Sequence, residues 1–281
     1  MKEKQGRMKK GTVDISGGIQ AYHHMIHKKW ICLFALLVIM MFFMILSVNA
    51  GAAKMSPLEV LKTIVGLGDE RGFVVIWKIR MPRVIGAVVA GAGLSIAGCV
   101  MQTCLKNPLA SPSTLGVSAA ATFGANLAII VFGAGTVMAT ASDAVVINHP
   151  YTVTLCAFLC SMAAVLLIMA LSRLRGFSPE SIVLAGTALS SLFAAGTTLI
   201  QYFGNDVQIS AALFWTFGDL GRISWKEVGI LSVITAACIV YFMVMRWNYN
   251  ALANGEETAK SLGVKTSRVR FWGLIFASLL T

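Results

Sequence analysis

Val84-Ile85-Gly86-Ala87-Val88-Val89-Ala90-Gly91-Ala92-Gly93-Leu94-Ser95-Ile96-Ala97-Gly98-Cys99-Val100-Met101-Gln102-Thr103-Cys104-Leu105 contains no Asp, Glu, Lys, Arg or His. At about 1.5 Å per residue, a helix of that length matches the roughly 30 Å hydrocarbon core of a bilayer. Its small residues, among them Gly86, Gly91, Gly93 and Gly98, let neighbouring backbones approach closely. The stretch reads as a membrane helix packed among other helices.

Five further apolar stretches of similar length, 30–48, 114–135, 151–171, 181–203 and 227–245, flank it, and 271–281 opens another. The composition agrees: 57% of residues are hydrophobic and 12% charged, against roughly 25% charged in a soluble domain. The expected fold class is all-α, a polytopic membrane helical bundle with six complete spans and the start of a seventh. Because the last stretch is too short to cross a bilayer, the chain is expected to stop in mid-span.

The net charge of +11 is expected from basic loops retained on the cytoplasmic side rather than from nucleic-acid binding. With the N-terminus inside, 15 of the 23 Lys and Arg fall on inner segments and 8 on outer ones. The six tryptophans, at 30, 77, 215, 225, 247 and 272, fall near span ends, where an amphipathic ring prefers the headgroup layer. The chain is expected to be multi-pass in the cytoplasmic membrane, with a cytoplasmic N-terminus. Residues 1–29 read as a cytoplasmic basic tail and 30–281 as the membrane domain. His23, His24 and His27 lie in that tail, where solvation is a simpler account than metal binding. The apolar stretch ending at Val48-Asn49-Ala50 is too long for a signal-peptide core and reads as a retained anchor.

No span interior carries Asp, Glu, Lys, Arg or His, which disfavours an ion-coupled secondary transporter. The chain has no HExxH, no GxSxG and no Gly-Lys dipeptide for a nucleotide loop. It is therefore not expected to be an enzyme or to hold a cofactor, and ATP hydrolysis would belong to a separate chain. The six cysteines, Cys32, Cys99, Cys104, Cys156, Cys160 and Cys238, all fall in apolar spans and read as small buried residues. Cys156 and Cys160 share a helix face without a nearby His or carboxylate, so no metal site is expected.

In the outer loop after the first span, Ser56-Pro57-Leu58-Glu59 forms a capping box, followed by Leu58, Leu61, Ile64 and Val65 on one face. This predicts a short helix lying on the membrane surface. Trp77-Lys78-Ile79-Arg80-Met81-Pro82-Arg83 places three positive charges on the outer side, against the charge rule. They read either as snorkelling anchors or as a landing site for an acidic partner. Asn254-Gly255-Glu256-Glu257-Thr258-Ala259-Lys260-Ser261-Leu262-Gly263-Val264 reads as a short polar inner helix ending at a C-cap glycine. In the fifth span, Gly186, Ser190 and Ala194 repeat the small-residue spacing of the second, for helix packing or for lining a pathway.

Together these residues resemble the FecCD-type permease family, the membrane subunits of iron-siderophore, haem and vitamin B12 importers. The resemblance rests on four stretches in family order: Ile79 to Arg83 leading into the glycine-rich span; Gln102 through Asn107-Pro108-Leu109-Ala110 to Leu115-Gly116-Val117-Ser118; Leu184-Ala185-Gly186; and Gly255-Glu256 through Leu262-Gly263. It implies a permease subunit of an ATP-binding-cassette importer, of a type with ten helices, carrying iron-siderophore, with haem or cobalamin as alternatives. It also implies two cytoplasmic ATPase subunits, an extracytoplasmic substrate-binding protein, a second permease subunit and membrane lipid as partners. Arg80 and Arg83 match the outer arginines that receive glutamates of the binding protein. Gly255, Glu256, Glu257, Ala259, Leu262 and Gly263, within a coupling segment at 253–266, match the inner element that seats in the ATPase.

Overall fold

The computed structural model describes residues 15–50, 55–136, 146–147, 150–174, 178–218, 220–221 and 223–281. The chain forms two compact units, Met1–Val84 and Ile85–Thr281.

In the first unit, α1 (Ile15–Asn49) is followed by α2 (Pro57–Ile64), α3 (Glu70–Phe73), a π-helical segment (Val74–Arg80) and the start of α4 (Met81–Leu105). The stretch from 15 to 29, expected as a tail, is helical, and His23, His24 and His27 are exposed on it; residues 1–14 lie outside the described residues. The apolar part of α1 is exposed almost all round, as at Trp30, Phe34 and Phe43. A helix hydrophobic on every face is stable only with an apolar surrounding, here the bilayer. The expected capping box of α2 is present: the Glu59 backbone N–H donates to Ser56 Oγ at 3.3 Å, and the Ser56 N–H donates to the Glu59 carboxylate at 2.8 Å. Leu58, Leu61 and Val65 stay exposed while Val60 packs with Val48, Ile76 and Val84.

The second unit contains α5 (Val117–Asn126), a second π-helical segment (Leu127–Val131), a two-residue antiparallel pair β1 (Gly135–Thr136) and β2 (Val146–Ile147), and then α6 (Pro150–Arg173), α7 (Pro179–Tyr202), α8 (Asp206–Phe217), α9 (Trp225–Val244), α10 (Arg246–Ala253), α11 (Glu256–Ser261) and α12 (Thr266–Leu279). Among the described residues, five helices are long and apolar enough to cross a membrane: His23–Asn49, Glu70–Leu105, Pro150–Arg173, Pro179–Tyr202 and Trp225–Val244. They coincide with five of the six expected complete spans. The sixth, expected at 114–135, is the shorter apolar helix Val117–Val131. Left-handed glycines trim it at both ends, Gly116 at φ +72° and Gly133 at φ +67°. Between the expected fifth and sixth spans, α8 is an additional helix, started by a capping box between Asn205 and Gln208.

The main core draws Met101 and Leu105 from α4, Ile168 from α6, Leu189 from α7, Phe242 from α9 and Leu274 from α12 around Leu115. A smaller cluster joins Ala125 and Ile129 to Val153, Ala157 and Ala211. Gly124 makes the α5–α6 contact possible, because a Cβ there would strike the Cys156 carbonyl oxygen. All six cysteines are free thiols. Cys104 and Cys238 are buried as expected, whereas Cys32 and Cys99 lie on exposed faces of α1 and α4.

Candidate functional site

The 253–266 segment is built from two glycines and a buried alanine. Gly255 precedes α11 at φ +131° and Gly263 follows it at φ +80°. The Gly263 N–H donates to the Lys260 carbonyl and the Val264 N–H to the Ala259 carbonyl, both at 2.9 Å. This is a Schellman closure, which needs a left-handed residue at Gly263. Glu256 and Glu257 in the first turn suit the positive end of the helix dipole. Ala259 is fully buried, while Glu257, Lys260 and Leu262 are exposed, Leu262 to 68%. The helix thus has one anchored side and one side that presents a carboxylate, an ammonium and a leucine.

Arg270, in α12, ties this helix to the rest of the unit. It is only 1% exposed. Its Nη2 donates to Glu256 Oε2 at 2.7 Å and its Nε to the Cys104 carbonyl oxygen at 3.0 Å. Cys104 lies in the last turn of α4, where carbonyls lack intrahelical donors, so one guanidinium caps α4 and holds α11. Lys260 adds a second contact to Glu256, at 3.0 Å. The hydrogen bond from Arg270 is the main cause that lowers the Glu256 pKa to about 2, with Lys260 contributing and desolvation opposing. Glu180, in the first turn of α7, lies near enough to feel the charges of both Arg270 and Glu256.

The start of α12 is seated closely. A Cβ on Gly273 would lie 2.7 Å from Tyr249 Oη and 3.1 Å from Cys104 Sγ, and the Arg173 guanidinium stands 5.6 Å from the centre of the Phe271 ring.

A second close approach joins two distant stretches of sequence. A Cβ on Gly186 would lie 3.0 Å from both Leu115 Cα and the Thr114 carbonyl oxygen, and one on Gly116 would lie 2.7 Å from Ser190 Oγ. Gly186 and Ser190 are therefore packing residues against the turn before α5, and Ala194, one turn on, is exposed. Gly93 packs near Thr235 and Leu280, while a Cβ on Gly91 or Gly98 would meet no heavy atom of the described residues within 4 Å.

In the first unit, Arg83 is exposed and Arg80 is buried, at 5% exposure. Arg80 Nη1 donates to the carbonyl oxygens of Val48 at 2.6 Å and Asn49 at 3.2 Å. It caps the C-terminal end of α1 instead of projecting outward. The π-helical segment that ends at Arg80 shifts the register of the turn before α4.

Residues 37–281 match the FecCD transport family along their length. The chain belongs to that family. It is similar to a protein of Methanocaldococcus jannaschii named as an ABC transporter permease protein, 47% identical over 93% of this chain and 74% of the relative. It is similar to the Fe(3+)-citrate import system permease protein YfmE of Bacillus subtilis, 31% identical over 87% of this chain and 68% of the relative. It also resembles the vitamin B12 import system permease protein BtuC of Escherichia coli, 30% identical over 83% of this chain and 65% of the relative. A solved structure described as an inward-facing conformation of a metal-chelate type ABC transporter superposes with a TM-score of 0.70 at 27% identity, covering 89% of this chain and 73% of that one. This FecCD chain is a multi-pass membrane protein and a permease of the ABC importer type, a transport subunit rather than an enzyme.

In this FecCD permease the structure brings together Gly255, Glu256, Ala259 and Gly263 as one capped helix, and Gly116 with Gly186 and Ser190 as one contact. Sequence reasoning missed Arg270 and the α4 end that it caps. Arg270 is the last charge before the apolar run from 271, and that position is the only signal it offers.

Proposed function

We propose that this chain is the membrane-spanning permease subunit of an importer of iron-siderophore or a related ferric chelate, driven by separate ATPase chains. The observation that carries this reading is α11. It is a short polar helix with a buried anchor at Ala259, an exposed face of Glu257, Lys260 and Leu262, and an ion pair that ties it through Arg270 to the end of α4. Such an element suits a cytoplasmic partner that must push on the membrane helices. The N-terminus, the 106–113 loop, the 172–180 loop and the 246–270 segment lie on the cytoplasmic side in this reading, in keeping with the distribution of Lys and Arg. On the outer side Arg83 offers a positive charge to a carboxylate of a substrate-binding protein, and Arg80 supports it by holding the end of α1. A second permease subunit completes the pathway, and the exposed face of α7, with Thr187, Ser191, Ala194 and Thr198, lines it.

Iron chelate is favoured by the likeness to a ferric-citrate permease; cobalamin is the second reading, favoured by the likeness to BtuC. Import by the assembled transporter in proteoliposomes, with ATP inside the cytoplasmic-facing compartment, decides between them. Iron-55 uptake as a hydroxamate siderophore or citrate complex, without uptake of labelled cyanocobalamin, is the expected result. Cobalamin uptake alone overturns the iron reading, and uptake driven by an ion gradient without ATP overturns the importer reading.

A further inference from the structure

α11 is short, with a single fully buried side chain, Ala259. A helix so lightly seated transmits a push only through whatever links it to longer elements. The short link is the Arg270 guanidinium, shared between Glu256 on α11 and the Cys104 carbonyl at the end of α4. Arg270 also belongs to α12, whose Leu274 and Ala277 are fully buried in the main core. The ends of three helices therefore meet at one side chain.

We propose that Arg270 is a positioning residue that conveys displacement of α11 to α4 and α12, acting as the joint between the ATPase-facing helix and the membrane helices. This rests on the proposed ATPase-docking role of α11. A guanidinium suits the task because its rigid planar fork holds two acceptors at a fixed separation, whereas an ammonium is a single point donor. Its burial makes the joint stiff. If α11 moved while Arg270 stayed, a buried charge would lose its carboxylate, which is strongly unfavourable, so the two move together. Among the described residues, Lys260 lies 3.0 Å from Glu256 and Glu180 also feels its charge. Lys260 is 60% exposed, and its contact with Glu256 lies within α11, so it stiffens α11 without joining it to α4.

The test uses the assembled transporter in proteoliposomes. Leu109, exposed just beyond the end of α4, is replaced by cysteine, and its labelling rate with a membrane-impermeant maleimide is measured with and without ATP plus vanadate. A second variant, Glu257→Cys, is cross-linked to the ATPase to report docking directly. With Arg270 intact, ATP plus vanadate changes labelling at position 109 by at least about fivefold, the low end of allosteric coupling. In R270K, which keeps the charge but not the two-acceptor fork, the response falls below about twofold while cross-linking through position 257 persists. E256Q falls between the two, and the double variant is no worse than R270K.

A wild-type response in both R270K and E256Q, with cross-linking retained, overturns the joint and leaves the docking reading intact. Loss of cross-linking in the transporter with Arg270 and Glu256 unaltered overturns the docking reading and the joint with it. Should R270K fail to insert into the membrane, E256Q decides alone: an unchanged response overturns the proposal and a reduced one supports it.

Discussion

Arg270 Nη2 and Glu256 Oε2 lie 2.7 Å apart, joining a side chain 1% exposed to one 30% exposed. The pair lowers the Glu256 pKa to about 2 from 4.5. A carboxylate whose pKa is depressed on folding contributes stability that is present above its unfolded pKa and lost as pH falls through the folded value. The contribution of Glu256 is thus full at neutral pH and disappears between about pH 4.5 and about pH 2. Glu256→Gln should lower the melting temperature in detergent by a few degrees at pH 7, for a loss of about 1 kcal/mol after discounting for exposure. The gap between wild type and variant should narrow steadily as the pH falls from 4.5. A gap independent of pH would mean that the carboxylate charge is not what Arg270 requires.

The Schellman closure at Gly263 gives a prediction that separates backbone conformation from space. A Cβ at Gly263 would meet no heavy atom of the described residues within 4 Å, yet φ there is +80°. Steric exclusion is therefore not the constraint. Gly263→Val should cost roughly 1–2 kcal/mol locally, because a β-branched residue resists the left-handed region, whereas Gly263→Asn should be tolerated. The measurement is copurification of the ATPase with each variant. Equal loss in both would point to the missing glycine surface rather than to the turn.

Several of these features can be read directly from the residues, and the reasons are local. The Ser56–Glu59 capping box, the Gly263 C-cap and five of the spans each depend on neighbours in sequence, so spacing suffices. The Asn205–Gln208 box that starts α8 obeys the same rule, but it follows directly on an apolar run that already satisfies a span. Arg80 and Arg270 are not legible in this way. An arginine beside an apolar run normally snorkels to water, and whether it turns inward depends on a helix end that the fold brings near. Val48 is 32 residues from Arg80 and Cys104 is 166 from Arg270. The shortening of the third span depends on φ at Gly116 and Gly133, which composition does not reveal.

The Gly186 contact predicts a steric failure. A Cβ there would lie 3.0 Å from backbone atoms of Thr114 and Leu115, which cannot rotate away as a side chain end would. Gly186→Val should destabilise the second unit by about 1–3 kcal/mol, as overpacking does, and Ala194→Val, on the exposed face of the same helix, should not. Protection of the 111–116 turn from limited proteolysis reports the difference. Similar protection in both variants would show that the turn can withdraw from α7.

The proposed orientation in the bilayer predicts opposite labelling of two exposed positions. Lys265→Cys, between α11 and α12, should be spared by an impermeant maleimide added outside intact cells, and Leu67→Cys, between α2 and α3, should react. The reverse pattern would invert every inner and outer assignment made from the distribution of Lys and Arg.

The outer arginines make the last prediction, because one of them is exposed and the other is not. In the proposed docking role the exposed Arg83 meets a carboxylate of the binding protein, so Arg83→Glu should replace attraction with like-charge repulsion and slow association. A single exposed pair is worth only about 0.2–1 kcal/mol, so the loss of affinity should be about two- to fivefold or somewhat more, larger at low salt than at high salt because the contact is screened. Arg80 is committed to the Val48 and Asn49 carbonyls. Arg80→Met should therefore destabilise the first unit by about 1–3 kcal/mol, since it removes a donor from the buried Val48 carbonyl, and any change in binding-protein affinity should be independent of salt. Titration of the reconstituted transporter with its binding protein at low and high salt, alongside thermal melts of both variants, distinguishes the two roles. If Arg80→Met shows the salt-dependent loss and Arg83→Glu does not, the charge that faces the partner is Arg80, and the cap on α1 must open when the partner binds.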